Sequence, residues 1–280
     1  MPAALLAAAL LLASGPVAAQ QAVISHAEQP SRLIRKTTVH QAFAGVRLQA
    51  GDIVESGTHT VQIEWPNGAR VALGPASSIL VHNAAGLPSA TVLRGWSKFA
   101  ATAPAGGRLA LEAGVLALQA TAASGIVYLA PDSTELFVES GTVPATDMAR
   151  AAVPAVPVGS GQYAVRHASR PLDVAPRAPR LFIGRMPRAF LDPLVAVAAL
   201  VPAAAALPQR DVDAADIAAW RDAGATARRR LASQFAPRLA DPAFRRDAES
   251  VLAGQPEWRD ALRRHNAVKN RTSAPLNQLF

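Results

Sequence analysis

A mainly β fold followed by a small α-helical domain is what this chain predicts, and three observations predict it. Between residues 61 and 143, apolar residues recur at every second position in short runs cut by Gly, Pro and Asn. Beyond residue 190 the spacing lengthens to the i, i+3, i+4 rhythm of amphipathic helices. Between these regimes lie the proline-rich stretches 151–157 (AAVPAVP) and 175–179 (APRAP), where proline withholds a backbone donor and fixes φ. The expected layout is a leader at 1–19, a β domain at 20–175, a linker at 176–190, a helical domain at 191–267 and a disordered tail at 268–280. Strands this short, with turns roughly every 8–12 residues, suit a short-strand roll, a sandwich or a solenoid-like stack. No fixed repeat period is present.

The elements follow in order. Ala3 to Ala13 is an unbroken Ala/Leu run, Gly15-Pro16 breaks it, and Val17-Ala18-Ala19 offers small residues before a cut. This is the pattern of a cleaved secretory signal with Gln20 as the first mature residue, although no Lys or Arg precedes the run. Leu33-Ile34, Val39 and Phe43 thread apolar points through a polar stretch and predict edge strands. Val61, Ile63 and Trp65 alternate with polar residues, Pro66-Asn67-Gly68 turns the chain, and Val71 and Leu73 alternate again. Trp65 shares the inward phase of its strand. Ile79 and Val81, Val92-Leu93 and Phe99, Leu109 to Leu118, Leu136 to Val143, and Gln162 to Arg166 continue the series.

After the prolines, Asp192-Pro193 reads as an N-cap with proline at the first helical position, and Leu194–Leu207 as a buried helix or two broken at Pro202. Ile217 and Trp220, then Leu231, Phe235 and Leu239, then Phe244, Ala248, Val251 and Leu252, then Trp258 and Leu262 mark further helices. Asp241-Pro242 opens one of them, Gly254 closes it, and the chain turns polar from Val268.

Composition removes several chemistries. The chain has no cysteine, which excludes disulfides, a thiol nucleophile, Cys-ligated zinc and a lipid-modified cysteine. The histidines His26, His40, His59, His82, His167 and His265 are scattered with no i, i+4 pair, so neither a metal nor a cofactor is expected. Ser160 lies in Gly159-Ser160-Gly161, a turn and not a nucleophile elbow. The apolar runs are too short to span a bilayer, so the chain is not expected to be an integral membrane protein. Net charge is +8, and sixteen Lys/Arg against ten Asp/Glu from residue 180 onward place most of the excess in the helical region. No nucleic-acid motif accompanies it.

Candidate partner-binding residues are Trp96, set between Arg94 and Lys98 where a sugar or peptide can stack, and the arginines Arg228, Arg229, Arg230, Arg245, Arg246, Arg263 and Arg264. The bland alternatives are ordinary packing for Trp96 and a solvated helix face for the arginines. Glu55 with Glu64, or Glu135 with Glu139, would be the acids of a glycan-active enzyme if they paired across strands.

Gly51-Asp52, Ser56-Gly57, the alternating strand, Asn67-Gly68 and Gly74-Pro75-Ala76-Ser77 together resemble the FecR-type periplasmic domain. The likeness continues through Leu93-Arg94-Gly95, Gly125-Ile126-Val127-Tyr128, Thr134 to Val143 and Gly161-Gln162-Tyr163, covering roughly residues 23–174. The resemblance implies a β domain of the periplasm. Signalling members of that family carry a cytoplasmic part and a membrane span before this domain and relay a receptor's state to a sigma factor; neither part is evident in this sequence. The expected function is a non-enzymatic interaction module of the cell envelope, exported to the periplasm and binding an envelope protein or a cell-wall glycan. The alternatives are the glycan-active enzyme and a regulator retained at the membrane by an uncleaved signal.

Overall fold

One long strand folds the sheet in two. The computed structural model describes residues 21–83, 87–101, 107–150 and 152–272. The expected leader, and residues 273–280 of the expected tail, lie outside the described residues. In chain order the strands are β1 (Val23–Ala27), β2 (Ser31–Arg35), β3 (Thr38–Ala42), β4 (Ile53–Glu55), β5 (Val61–Glu64), β6 (Arg70–Leu73), β7 (Ser78–Asn83), β8 (Ser89–Ala101), β9 (Arg108–Ala113), β10 (Leu116–Thr121), β11 (Ala123–Leu129), β12 (Ser133–Ser140), β13 (Thr142–Asp147), β14 (Val156–Gly159), β15 (Tyr163–His167), β16 (Asp173–Ala175) and β17 (Leu207–Asp211).

The first half of β8 pairs with β7 through Ser89–Arg94, and its second half pairs with β11 through Gly95–Ala101. One sheet therefore runs β1-β5-β6-β8-β11-β12-β15-β16. The other runs β17-β3-β2-β4-β7-β8-β9-β10-β13-β14. Pairing is antiparallel except between β8 and β9. The fold is mainly β, as the alternation predicts. Gly95 makes the corner: its φ of +80° suits glycine, and a Cβ there would collide with Ser77.

The two sheets enclose a core that includes Ile24, Leu33, Val54, Ile63, Val71, Val92, Phe99, Leu118, Val127 and Leu136. A sandwich would leave its outer faces wet, yet β5 and β6 are buried at every position. The outer face is covered there too, although β5 still alternates apolar with polar residues, so Gln62, Glu64 and Arg70 are buried with the rest.

Helices cover the second sheet: α2 (Ala214–Ala218), α3 (Ala225–Phe235), α4 (Pro242–Val251) and α5 (Pro256–Thr272) follow a short α1 (Arg180–Arg185). Asp213 and Asp216 form a reciprocal capping box at the start of α2, and Asp241 caps α4 with Pro242 at its first turn. Ile217, Trp220, Leu231, Phe235, Leu239, Phe244, Leu252 and Trp258 are buried in one cluster with Ile34, Val39, Ile53, Leu80 and Leu93 of the sheet. The predicted stripes hold, apart from Val251, which is exposed.

Two expectations need correction. Residues 194–207 are not a buried helix: the chain runs extended there, with 3-10 turns at 188–191 and 198–200, and ends in β17. Pro202 interrupts any helix there, and the sheet takes the backbone groups a helix would use itself: Gln62 Nε2 donates to Val195 O, and Val197 and Ala198 N–H donate to Glu64. The second correction concerns the tail, since α5 continues to Thr272, past the polar change at Val268.

Candidate contact surfaces on the two outer faces

The outer face of the first sheet lies under a strap formed by residues 176–206. Phe182 of α1 enters an aromatic cluster with Trp96, Tyr163 and Phe137, at centroid distances of 5.2, 5.3 and 6.3 Å. Trp96 stacks on Tyr128 at 4.2 Å, and Phe190 adds a second fully buried peg. Each such phenyl removed from water contributes roughly 1.5–3 kcal/mol. Between the pegs, Lys98 Nζ donates to Phe190 O and to Glu139, both at 2.7 Å. Arg185 bonds Glu135 at 3.1 Å, and the Tyr163 hydroxyl donates to the same carboxylate at 2.6 Å. Burial, and then this bond, hold the Tyr163 phenol above its ordinary range. Beside the strap a cavity of about 540 Å³ opens over Arg70, Lys98, Ala100, Ala123 and Glu139, walled by Leu191 and Leu194.

Anchoring residues alternate with exposed ones along the strap. Phe182 and Phe190 point in, whereas Leu181, Ile183, Leu191, Val195 and Leu200 are exposed, Leu181 to 71% and Leu200 to 81%. Five of the nine large exposed apolar side chains among the described residues lie on this one segment. Their concentration on one segment makes the strap a candidate contact surface.

The opposite face is joined to the body by ionic links. Arg32 of β2 reaches Glu55 at 2.8 Å and Asp216 of α2 at 2.6 Å, and Arg210 holds Asp216 from the other side at 2.7 Å. Trp220 Nε1 donates to Glu55 at 3.0 Å. Burial works against ionised Asp216, but Arg210, the Asp213 N–H and Arg32 outweigh it and hold the carboxyl down to about 2. At the β7–α3 seam His82 bonds Thr91 at 2.6 Å and Arg230 at 3.0 Å. Burial, then the Arg230 guanidinium, push His82 down to about 4.

The residues singled out in the sequence now take their places. Trp96 does not offer a face to solvent; α1 closes over it, because Gly95 turns β8 and sends the ring under the strap. Arg228 is tied to Glu257 and Ala223 O, Arg230 to His82, and Arg245 to Leu239 O. Arg229, Arg246, Arg263 and Arg264 are exposed; Arg229 bonds only Thr226, and Arg263 bonds Asp260 on its own helix. The carboxylates weighed as enzyme acids are engaged separately: Glu55 by Arg32, Glu64 by strap N–H groups, Glu135 by Arg185, Glu139 by Lys98. Alternation alone reads Gln62, Glu64, Lys98 and Glu135 as solvent-facing. The only hint otherwise is a cluster of polar residues in strands whose other residues are strongly apolar.

No family model matches the chain, and no curated protein matches it. Among solved structures, two crystal structures of a "putative anti-sigma factor" from Parabacteroides distasonis align with 45% of this chain, at 13% and 12% identity and a TM-score of 0.39 in each case. The aligned region spans 59% of that protein. Among the described residues, no helix is long and apolar enough to cross a membrane.

Proposed function

We propose that this chain is a non-enzymatic, FecR-type interaction module of the cell envelope, exported to the periplasm, which holds an acidic protein or glycan partner on its helical face. The observation that carries the reading is how the charges are spent. Its buried carboxylates Asp52, Glu55, Glu64, Glu135, Asp147 and Asp216 are each engaged by a cation or by backbone donors of the same chain, while Arg229, Arg246, Arg263 and Arg264 stand in water. A general acid or base needs a carboxyl free to exchange its proton with substrate; a contact surface needs exposed charge.

The residues that carry the FecR-type resemblance support it by position. Asp52 grips Arg35 at 2.6 Å, Ser56 bonds across to Gly74 and Ser77, and the Ser77 hydroxyl accepts from Trp96 N–H at 2.8 Å. Ser56 and Ser77 secure the joint at which β8 turns, and Asp52 ties its loop to β2, so the motif maintains a scaffold and leaves recognition to its covers.

Crosslinking of the full chain to isolated envelopes tests the proposal. Arg229→Glu, Arg246→Glu and Arg264→Glu together are expected to release the crosslinked partner while stability stays within about 0.5 kcal/mol. Binding by exposed guanidiniums also falls with salt, because charges are screened beyond about 8 Å at physiological ionic strength. A triple variant that keeps the same crosslink overturns the reading.

A further inference from the structure

The strap carries a second contact surface, chemically unlike the helical one. Arg177, Arg180 and Arg188 are exposed and have no side-chain partner among the described residues. They flank Leu181, Ile183 and Leu191, all exposed. Phe182 and Phe190, buried between them, fix the segment against the sheet and leave these side chains at the surface. Across 176–192 four arginines face one acid, Asp192, and only Arg185 is already paired, to Glu135.

We propose that this strap docks the protein on an anionic lipid surface, with Leu181, Ile183 and Leu191 entering the headgroup region and the three arginines pairing with lipid phosphates. Charge complementarity favours a phosphate-bearing surface, and guanidinium groups pair with phosphate in bidentate fashion. Shape favours lipid over a folded partner. The exposed apolar residues are spread over a short helix and the 3-10 turn at 188–191, so a fluid surface accommodates them while a protein would need a matching set of pockets. Apolar side chains rimmed by arginine are the pattern of interfacial segments, whose binding joins buried apolar area to attraction for anionic headgroups. This surface lies on the sheet opposite the helical face, so its test is independent of the partner proposed there.

The absence of cysteine allows single-site labelling. An environment-sensitive dye on the full chain carrying Ile183→Cys is expected to shift to the blue with vesicles of phosphatidylethanolamine and phosphatidylglycerol, and not with phosphatidylcholine alone. The same dye on Ser250→Cys, an exposed position on α4, is expected to stay unshifted. Arg177→Gln, Arg180→Gln and Arg188→Gln together should abolish the shift, and Leu181→Ser with Leu191→Ser should weaken vesicle binding about tenfold or more. Circular dichroism matching the parent shows that the variants are folded. No blue shift, an equal shift with neutral vesicles, or a shift that survives the arginine changes overturns the proposal; the last two mean that the apolar residues bind without charge selection.

Discussion

The chain covers the two outer faces of its folded sheet by opposite means. On one side, helices satisfy their own backbone hydrogen bonds, so the sheet beneath meets them mainly with apolar residues, Ile34, Val39, Ile53, Leu80 and Leu93, and with Glu55 for the Trp220 indole. On the other side the cover is an extended strap, which leaves its carbonyls and N–H groups without local partners. The sheet must supply them, and Gln62, Glu64 and Lys98 do so from buried positions. A cover one chain thick also has no second layer above it, so side chains that do not pack on the sheet, such as Leu181, Val195 and Leu200, are left in water. The exposed leucines of the strap and the buried polar residues below it are two results of the same choice.

The largest expected effect comes from removing one peg on each side. Trp220 is buried among helix and sheet residues and bonds Glu55; Trp220→Ala is expected to cost about 3–5 kcal/mol in global unfolding, read as a lower denaturant midpoint. Phe182 is equally buried but anchors only the strap. Phe182→Ala should therefore raise amide exchange across 180–206 while the global midpoint moves much less. Equal midpoint losses would mean that the strap and the helices unfold as one unit.

Acid should separate the faces next. His82 has its pKa at about 4 in the fold against 6.5 unfolded. Between those values the unfolded chain binds a proton that the folded chain refuses, so the stabilisation is complete above 6.5 and is lost as pH falls toward 4. Allowing for the water that reaches this ring, the loss by pH 5 is about 1–2 kcal/mol. Asp216, held at about 2 against 3.8, adds a second loss as pH falls from 3.8 through 2. Both groups sit at the helical seam, so α2 and α3 should loosen in acid before the strap does. Denaturant midpoints at pH 7 and pH 5 measure it, and His82→Gln should flatten the difference.

The strands and their turns were legible because period-2 spacing survives burial on both faces, and the helices after residue 211 were legible through Ile217–Trp220 and Leu231–Phe235–Leu239. The strap was not. Leu194–Leu207 has the composition of a buried helix, and only its prolines argue otherwise; that Gln62 and Glu64 capture its backbone depends on residues over 130 positions away. Trp96 misled for the same reason: its polar neighbours Arg94 and Lys98 suggest a wet strand end, but Gly95 turns the strand and distant Phe182 covers the ring. Long-range covers leave no local signal. The exposed arginines were visible in the sequence, yet which of them are spent on Glu257, His82 and Leu239 depended on the fold.

The smallest effect isolates the polar half of the strap's attachment. Lys98 is buried, and its ammonium joins Glu139 of β12 to the carbonyl of Phe190. Lys98→Met keeps the length of the side chain and the apolar contacts of its stem but removes both bonds. Glu139 is 26% exposed on its side chain, so it can turn to water and no unpaired charge is left buried. The Phe190 carbonyl can regain a partner only if the strap lifts, so the cost of about 1–3 kcal/mol for an unsatisfied buried acceptor is relieved by local opening. Brief proteolysis should then cut between residues 186 and 201 roughly tenfold faster than in the parent, since 1.4 kcal/mol is tenfold in the population of the open form. The helical face should keep its exchange rates, and the global midpoint should hardly move. If cleavage in the strap is unchanged, the phenylalanine pegs alone retain it, and the buried polar groups are needed only to let the chain lie there.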